Sequence, residues 1–280
     1  MTAPKTQVMN ERPIGIFDSG LGGLSVWREI HRQAPNESTI YFADSARCPY
    51  GPKTPEQVRD YSFEITERLL DLGCKAIVVA CNTATAAAIE ELRNSFDIPF
   101  IGMEPAVKPA ALRTKTGHVG VLATQGTLKG ALYRKTSQKY ANDVLVHVQI
   151  GEGLVELVEN RMHESPECEE LLRTYIQPML EAKADHIVLG CTHYPFFKNL
   201  VTKISGPHVN IVDPAPAVAK QTLNILRKQD SFNTKNISAQ HSFFSTGNLD
   251  SLKKMAEPLF SKSPATDVIF GKFNISDPTT

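Results

Sequence analysis

Residues 77–85 read Ile-Val-Val-Ala-Cys-Asn-Thr-Ala-Thr, and they decide the fold expected of this 280-residue chain. The run at 77–80 is short, apolar and β-branched, which predicts a strand buried on both faces. It ends on Cys81, and a helical run follows. Residues 187–193 read Ile-Val-Leu-Gly-Cys-Thr-His and repeat the arrangement, with Cys191 at the strand end. Because open α/β sheets bind ligands at the carboxyl ends of their strands, both thiols are candidates for chemistry.

Composition limits the classes of protein to consider. The chain is long enough for one large or two medium domains. It carries 30 Lys plus Arg and 30 Asp plus Glu, so its charge favours neither nucleic acid nor an anionic membrane. No apolar stretch reaches the roughly 18 residues of a membrane span, and residues 1–13 lack the apolar core of a signal peptide. Five cysteines without a CxxC pair predict a reduced, cytoplasmic enzyme or binding protein.

A glycine-rich turn follows the first predicted strand. Residues 18–23 read Asp-Ser-Gly-Leu-Gly-Gly and precede a predicted helix. One interpretation is an anion pocket at the helix N-terminus, with Asp18 and Ser19 facing the ligand and the glycines allowing close approach. The other is a tight turn between strand and helix. The stretch does not match the dinucleotide-binding fingerprint, and the residues leave both interpretations open.

Three ordered matches indicate an internal repeat. The matched pairs are Ile14 with Val119, Cys81 with Cys191 and Glu104 with Asp213, at offsets of 105, 110 and 109 residues. Strands alternate with helices in both halves, which predicts parallel sheets. The expected fold class is therefore α/β, with two pseudo-symmetric domains, each a mostly parallel sheet flanked by helices. If the domains face each other, the two thiols confront one cleft.

Two facing thiols suit the inversion of a stereocentre. One group removes a proton from a carbon while the other delivers a proton to the opposite face, and a cysteine titrates at about 8.5, near enough to neutrality for either role. Neighbours such as Asp18 and His193 would adjust each thiol. Cys191 and His193 could bind zinc, but the sequence has no second pair of ligands at the spacing typical of zinc sites. A cysteine–histidine hydrolase would leave Cys81 unexplained. We therefore expect no metal site.

Four motifs, in order, resemble those of the glutamate racemases. They are residues 15–23 (Gly-Ile-Phe-Asp-Ser-Gly-Leu-Gly-Gly), 49–51 (Pro-Tyr-Gly), 80–84 (Ala-Cys-Asn-Thr-Ala) and 190–195 (Gly-Cys-Thr-His-Tyr-Pro). The resemblance implies a cofactor-independent cytoplasmic isomerase that interconverts L- and D-glutamate and supplies D-glutamate for peptidoglycan, and hence for cell-wall biogenesis and cell shape. It also implies two α/β domains, one of residues 1–104 plus 217–280 and one of residues 105–216.

The resemblance also implies a role for individual residues. Cys81 and Cys191 match the acid/base pair, with Cys81 facing the Cα hydrogen of D-glutamate and Cys191 that of L-glutamate. Asp18 matches an aspartate that assists the first cysteine. His193 by motif and Glu159 by position match a histidine and a glutamate that assist the second. The expected substrate-binding residues are Asp18, Ser19, Pro49, Tyr50, Gly51, Asn82, Thr83, Thr124, Thr192 and His193.

Two other functions compete with this hypothesis. The nearest is a racemase of the same superfamily acting on aspartate or a hydantoin, although the motifs at 18–23 and 190–195 favour glutamate. The other is a non-catalytic amino-acid-binding protein, against which the two intact cysteines argue. The residues leave open whether the chain forms a homodimer and whether a cell-wall precursor activates it.

Overall fold

The computed structural model describes residues 11–103, 106–130, 144–235, 238–260 and 267–273. Glu104, one member of the repeat, lies outside the described residues. The described part contains ten strands: β1 (Ile14–Asp18), β2 (Thr39–Ala43), β3 (Ala76–Val79), β4 (Phe100–Gly102), β5 (His118–Ala123), β6 (Leu145–Ile150), β7 (His186–Gly190), β8 (Asn210–Val212), β9 (Gln240–Ser245) and β10 (Asp267–Lys272).

Helices connect these strands. Within the described ranges the α-helices are α1 (Leu24–Gln33), α2 (Pro55–Asp71), α3 (Asn82–Ser95), α4 (Val107–Ala111), α5 (Gln125–Lys129), α6 (Leu154–Glu159), α7 (Pro166–Glu181), α8 (Lys198–Ser205), α9 (Ala215–Lys228) and α10 (Leu249–Phe260). A 3₁₀ helix, Tyr194–Phe197, precedes α8. No helix in the described part of the chain is both long and apolar enough to cross a membrane.

The strands form two sheets, and every pairing is parallel. The first sheet has the order β10-β9-β2-β1-β3-β4, and the second has the order β6-β5-β7-β8. The block β2-β1-β3-β4 of the first sheet has the same topology as the whole second sheet. This correspondence explains the repeat in the sequence, and it confirms the predicted α/β class with parallel sheets.

Local sequence explains the elements that position the site. Every residue of β1, β3 and β7 is buried, as their apolar composition predicts for strands covered on both faces. Helix α2 begins with a capping box, in which the Thr54 hydroxyl accepts from the Gln57 N–H and the Gln57 side chain accepts from the Thr54 N–H. Ser165 caps α7 in a similar way, ahead of Pro166.

The end of the chain completes the first sheet. Strand β9 pairs with β2, and β10 pairs with β9. The polar stretch 229–240 before β9 is predicted as a surface loop, but Ser231 and Asn233 within it are buried. The Ser231 carbonyl accepts from Lys75 Nζ at 2.8 Å, and the Asn233 N–H donates to Glu37 Oε1 at 2.8 Å. The prediction was wrong for these residues because a buried Lys75–Glu37 ion pair recruits their backbone groups.

One hydrophobic cluster spans both sheets. It includes Leu21 and Ala43 from the first half of the chain together with Leu154, Leu189 and Tyr194 from the second. Because buried apolar side chains pack as one contiguous unit, this cluster holds the two sheets against each other. The carboxyl ends of their central strands therefore lie close together.

Candidate active site

The two cysteines predicted to carry chemistry both lie at the carboxyl end of a central strand. Cys81 is separated from β3 by one residue. It forms the N-cap of α3, where its Sγ accepts from the Ala84 N–H at 3.4 Å. Cys191 directly follows β7. Their exposed fractions are 4% and 6%. Both thiols are therefore largely shielded from water.

Both thiols line one small cavity. Its volume is about 10 Å³, which is room for a single water molecule. A free amino acid is larger, so the walls must move apart to admit one. Of the ten residues predicted to bind substrate, all except Asp18 line this cavity, and Val155 lines it without having been predicted. The lining residues are Ser19, Pro49, Tyr50, Gly51, Cys81, Asn82, Thr83, Thr124, Val155, Cys191, Thr192 and His193.

The Cys81 thiol has uncharged hydrogen-bond partners. Its Sγ lies 3.8 Å from the Ser19 hydroxyl, to which it donates. Burial raises the pKa of Cys81 well above its usual range, and the negative charge of Asp18 raises it further. The hydrogen bond from the Ala84 N–H acts in the opposite direction but is weaker. Cys81 is therefore a neutral thiol near pH 7.

Asp18 lies outside the lining of the cavity and influences Cys81 through its charge. Its Oδ2 accepts from the N–H groups of Gly20 at 3.1 Å and Gly23 at 3.0 Å, and its Oδ1 accepts from the Thr192 hydroxyl at 3.1 Å. Burial raises the pKa of Asp18, while the nearby His193 and these backbone donors lower it. Asp18 does not line this closed cavity, because its carboxylate is turned toward the backbone of its own turn.

The glycine-rich turn also binds a second carboxylate of the protein. The Leu21 N–H donates to Glu159 Oε1 at 2.6 Å. A Cβ at Gly20 would lie 2.1 Å from Glu159 Oε1, and one at Gly22 would lie 2.2 Å from His193 Nδ1. The turn is thus a tight connection whose amides bind the protein's own side chains, and its glycines allow Glu159 and His193 to approach. In this arrangement the amides of the turn are bound by side chains of the protein itself.

Cys191 heads a chain of three polar side chains. Its Sγ lies 3.7 Å from His193 Nδ1, and His193 Nε2 lies 2.7 Å from Glu159 Oε1. Burial lowers the pKa of His193, but hydrogen bonds to Cys191, Cys48 and Glu159 outweigh it, and the pKa lies well above its usual range. The Gly22 N–H also donates to His193 Nε2 at 3.2 Å, so the glycine-rich turn holds this imidazole as well as Glu159. The structure thus brings together the three residues matched to the second base.

Cys48 is a third thiol near this chain, and it was missed from the sequence. It stands just before the Pro49-Tyr50-Gly51 motif, is half-buried and hydrogen-bonds to His193. Burial raises the pKa of Cys48 to about 11, against an opposing effect of His193. Its adjacency to the Pro-Tyr-Gly motif was the one signal available, because His193 is far away in sequence.

A buried network behind the cavity fixes the Pro-Tyr-Gly loop. The Tyr50 hydroxyl donates to Asp44 Oδ2, and Arg47 Nε donates to the same oxygen at 2.6 Å. Arg47 Nη1 also donates to Glu64 Oε2 at 2.7 Å, and the Thr246 hydroxyl donates to Asp44 Oδ1 at 2.9 Å. Asp44 thereby ties the loop to β2 and to the chain after β9. Sequence patterns gave no indication of this network, since it also requires Glu64 and Thr246 from other segments of the chain.

Polar groups on α3 face the cavity and the second sheet. Thr83 Oγ1 lies 3.0 Å from Thr124 Oγ1, which joins the two halves of the chain across the site. The Asn82 carboxamide is buried, and neither its oxygen nor its nitrogen has a hydrogen-bond partner among the described residues. Buried amides are normally paired, so this side chain is available to a ligand.

Comparisons with known proteins agree with the geometry and with the four motifs. A family model described as Asp/Glu/hydantoin racemase matches residues 14–222. The glutamate racemase of Herpetosiphon aurantiacus is 45% identical over 239 residues, which is 85% of this chain and 94% of that protein. Among solved structures, glutamate racemase isoform RacE1 of Bacillus anthracis has a TM-score of 0.84 at 34% identity and covers 95% of this chain and 98% of its own.

A further solved structure carries ligands. The Escherichia coli glutamate racemase, in complex with L-glutamate and the activator UDP-MurNAc-Ala, has a TM-score of 0.81 at 29% identity, covering 95% of this chain and 100% of its own. Sequence and fold thus agree over most of the molecule. The chain belongs to the Asp/Glu/hydantoin racemase family.

Proposed function

We propose that this protein is a glutamate racemase that interconverts L- and D-glutamate without a cofactor, and that its D-glutamate supplies peptidoglycan synthesis. The observation that carries the proposal is the pair of buried thiols on one cavity, Cys81 and Cys191, each with different partners. The high identity to glutamate racemases over most of the chain supports the choice of substrate.

In the direction from L- to D-glutamate, the Cys191 thiolate removes the Cα proton and becomes a thiol. The electron pair left on Cα is delocalised into the adjacent carboxylate. The Cys81 thiol then delivers its proton to the opposite face of Cα and becomes a thiolate. The reverse reaction exchanges these roles. Protonated His193, held by Glu159, stabilises the Cys191 thiolate, and Asp18 favours the neutral form of Cys81.

The polar lining of the cavity matches a zwitterion with two carboxylates. The unpaired Asn82 carboxamide and the hydroxyls of Ser19, Thr83, Thr124 and Thr192 supply donors and acceptors. We propose that residues 1–104 plus 217–280 and residues 105–216 are two domains that separate to admit glutamate. The Thr83–Thr124 hydrogen bond breaks at that step.

Heavy water tests the two-base mechanism directly. In a reaction started from pure L-glutamate and stopped early, the D-glutamate formed should carry deuterium at Cα, while the remaining L-glutamate stays largely protiated. Proton NMR of each separated enantiomer measures the label. Substantial early deuterium in recovered L-glutamate would contradict separate acid and base groups, because a single shared base returns exchanged protons to either face.

The substrate is tested in the same assay format. Polarimetry with L-glutamate and L-aspartate side by side should give rapid racemisation of glutamate and much slower racemisation of aspartate. Faster aspartate turnover would assign the protein to another activity of its family. No turnover of either, together with measurable amino-acid binding, would identify a non-catalytic binding protein.

Regulation and assembly form a second part of the proposal. A cavity of about 770 Å³, lined by Arg93, Arg113 and Gln221 among others, lies between α3, α4 and α9. This volume falls within the range of ligand pockets. We propose that the protein is a cytoplasmic homodimer and that a UDP-linked cell-wall precursor activates it, as the named activator does for the E. coli relative. Sedimentation measures assembly, and racemisation with and without UDP-MurNAc-Ala measures activation.

A further inference from the structure

The structure places three different metal-binding side chains together beside the cavity. One ligand atom each from Cys48, Glu159 and His193 lies within 4.8 Å of the other two. The residues come from the loop after β2, the end of α6 and the loop after β7. In the described part of the chain this is the one group of three such side chains at this spacing. Because its members are distant in sequence, ligand spacing along the chain did not indicate it.

The donor set selects the class of metal. A thiolate, an imidazole and a carboxylate are the ligands of Zn²⁺ and of similar borderline-soft ions, whereas Mg²⁺ and Ca²⁺ prefer oxygen alone. Bonds of about 2.0–2.3 Å in a tetrahedral zinc site place the ligand atoms roughly 3.3–3.8 Å apart. The Glu159 and His193 atoms are already 2.7 Å apart, so movements of about an ångström would complete three ligand positions.

The site is also accessible and its ligands are held in position. Cys48 is half-buried and the Glu159 side chain is 19% exposed, so two of the three ligands are partly open to solvent. The Leu21 N–H donates to the Glu159 carboxylate and holds it in place. Hydrogen bonds of this kind to metal ligands orient them in known metal sites. The fourth position would remain for water or for a nearby thiol.

We propose that Cys48, Glu159 and His193 form an inhibitory site for Zn²⁺. When the ion binds, the protons on Cys48 and His193 leave to solvent, because the metal takes thiolate and neutral imidazole. No bond other than these S–H and N–H bonds breaks. Once bound to the ion, the His193 imidazole is neutral and is no longer a protonated partner for Cys191. The ion also links ligands from both walls of the cavity and so holds the cavity closed. Metal binding itself is independent of the proposed function, whereas inhibition rests on it.

Cobalt titration tests the binding. The full-length protein, freed of metal by a chelator and kept reduced with a phosphine, is titrated with Co²⁺, which reports thiolate ligation by a near-ultraviolet charge-transfer band. Zn²⁺ added afterwards should abolish the band in a one-to-one ratio. Cys48→Ala should lose the band and weaken Zn²⁺ binding by roughly tenfold or more, since loss of even an outer contact has that effect. Cys168→Ala, which removes a buried thiol outside the cluster, is the matched control.

A second variant guards against a folding defect. Glu159→Gln keeps the shape of the side chain and should also weaken Zn²⁺ binding roughly tenfold, while Glu156→Gln in the same helix should not. Absence of a charge-transfer band in the wild type, or a band that persists in Cys48→Ala, would overturn the proposal. If the protein racemises glutamate, Zn²⁺ should inhibit it at the concentration that displaces Co²⁺. If it does not, the titration still decides the metal site.

Discussion

The two thiols occupy equivalent positions in two similar sheets, yet their surroundings differ. Cys81 contacts the Ser19 hydroxyl and the backbone of α3, and the charge with the largest effect on its pKa is the carboxylate of Asp18. Cys191 instead contacts the imidazole of His193, whose other nitrogen is bound by Glu159. The repeat therefore conserves geometry but not electrostatics.

This difference shows how an approximately symmetric fold can give two identical groups different electrostatic surroundings. Burial and a negative neighbour favour the neutral thiol at Cys81. Beside Cys191, by contrast, lies an imidazole whose pKa is well above its usual range. In the proposed mechanism, these surroundings suit removal of the Cα proton of L-glutamate by Cys191 and delivery of a proton by Cys81. After each turnover in that direction, the mechanism requires the protons on the two thiols to redistribute.

The largest effect expected is from removal of either thiol. Cys191→Ala and Cys81→Ala should each lower racemisation by at least roughly 10³-fold, because general acid and base contributions reach about 10²–10⁴ each. Cys191→Ala should still exchange the α-hydrogen of D-glutamate slowly with solvent, with retention, and Cys81→Ala that of L-glutamate. Proton NMR in heavy water measures this exchange, with Cys168→Ala as the control. Exchange of the opposite enantiomer in each variant would reverse the assignment of the two faces.

His193→Asn should have the next largest effect, a fall in kcat of about 10²-fold. The variant removes the positive charge beside Cys191 but leaves the surroundings of Cys81 unchanged. The changes in kcat and in KM should differ between the two directions of the reaction. The ratio of the two kcat/KM values cannot change, because the equilibrium constant fixes it. Steady-state kinetics from both enantiomers measures it. Wild-type values in both directions would remove His193 from the mechanism.

Asp18→Asn should lower turnover less, by about tenfold. After burial, the charge of Asp18 is the main factor that raises the pKa of Cys81. Its removal therefore lowers that pKa, and the rising limb of the pH profile for D-glutamate should move to lower pH. The profile for L-glutamate serves as the internal comparison. A shift of that limb to higher pH would contradict the assignment.

Glu159→Gln should have the smallest effect, a reduction of a few-fold in kcat and a change in pH dependence. Burial opposes the protonation of His193, and Glu159 is one of three hydrogen-bond partners that raise its pKa. Without the carboxylate the pKa of His193 falls, so activity should be lost at lower pH on the alkaline side. Glu156→Gln, an exposed change in the same helix, should leave the profile unchanged. Equal profiles in all three proteins would show that Glu159 has no influence on His193.

The sequence predicted the two strands and the positions of both thiols, but not the long-range contacts around them. Buried β-branched runs that end in cysteine predicted β3, β7 and the positions of both thiols, because strand burial is a local property. The interactions of Cys48 with His193 and of Asp44 with Thr246 were not predictable in this way. They depend on how separate segments pack against one another. The glycine-rich turn was ambiguous for the same reason, since its amides bind a carboxylate from a distant helix.

The position of β9 and β10 in the first sheet has a consequence for synthesis of the chain. All strands of the second sheet lie between His118 and Val212, so that sheet can form while translation continues. Strand β2, by contrast, remains an open edge until Gln240–Ser245 has left the ribosome. An unpaired parallel edge is a template for association with other chains. A product truncated before β9 would therefore aggregate through β2, even though it retains both cysteines.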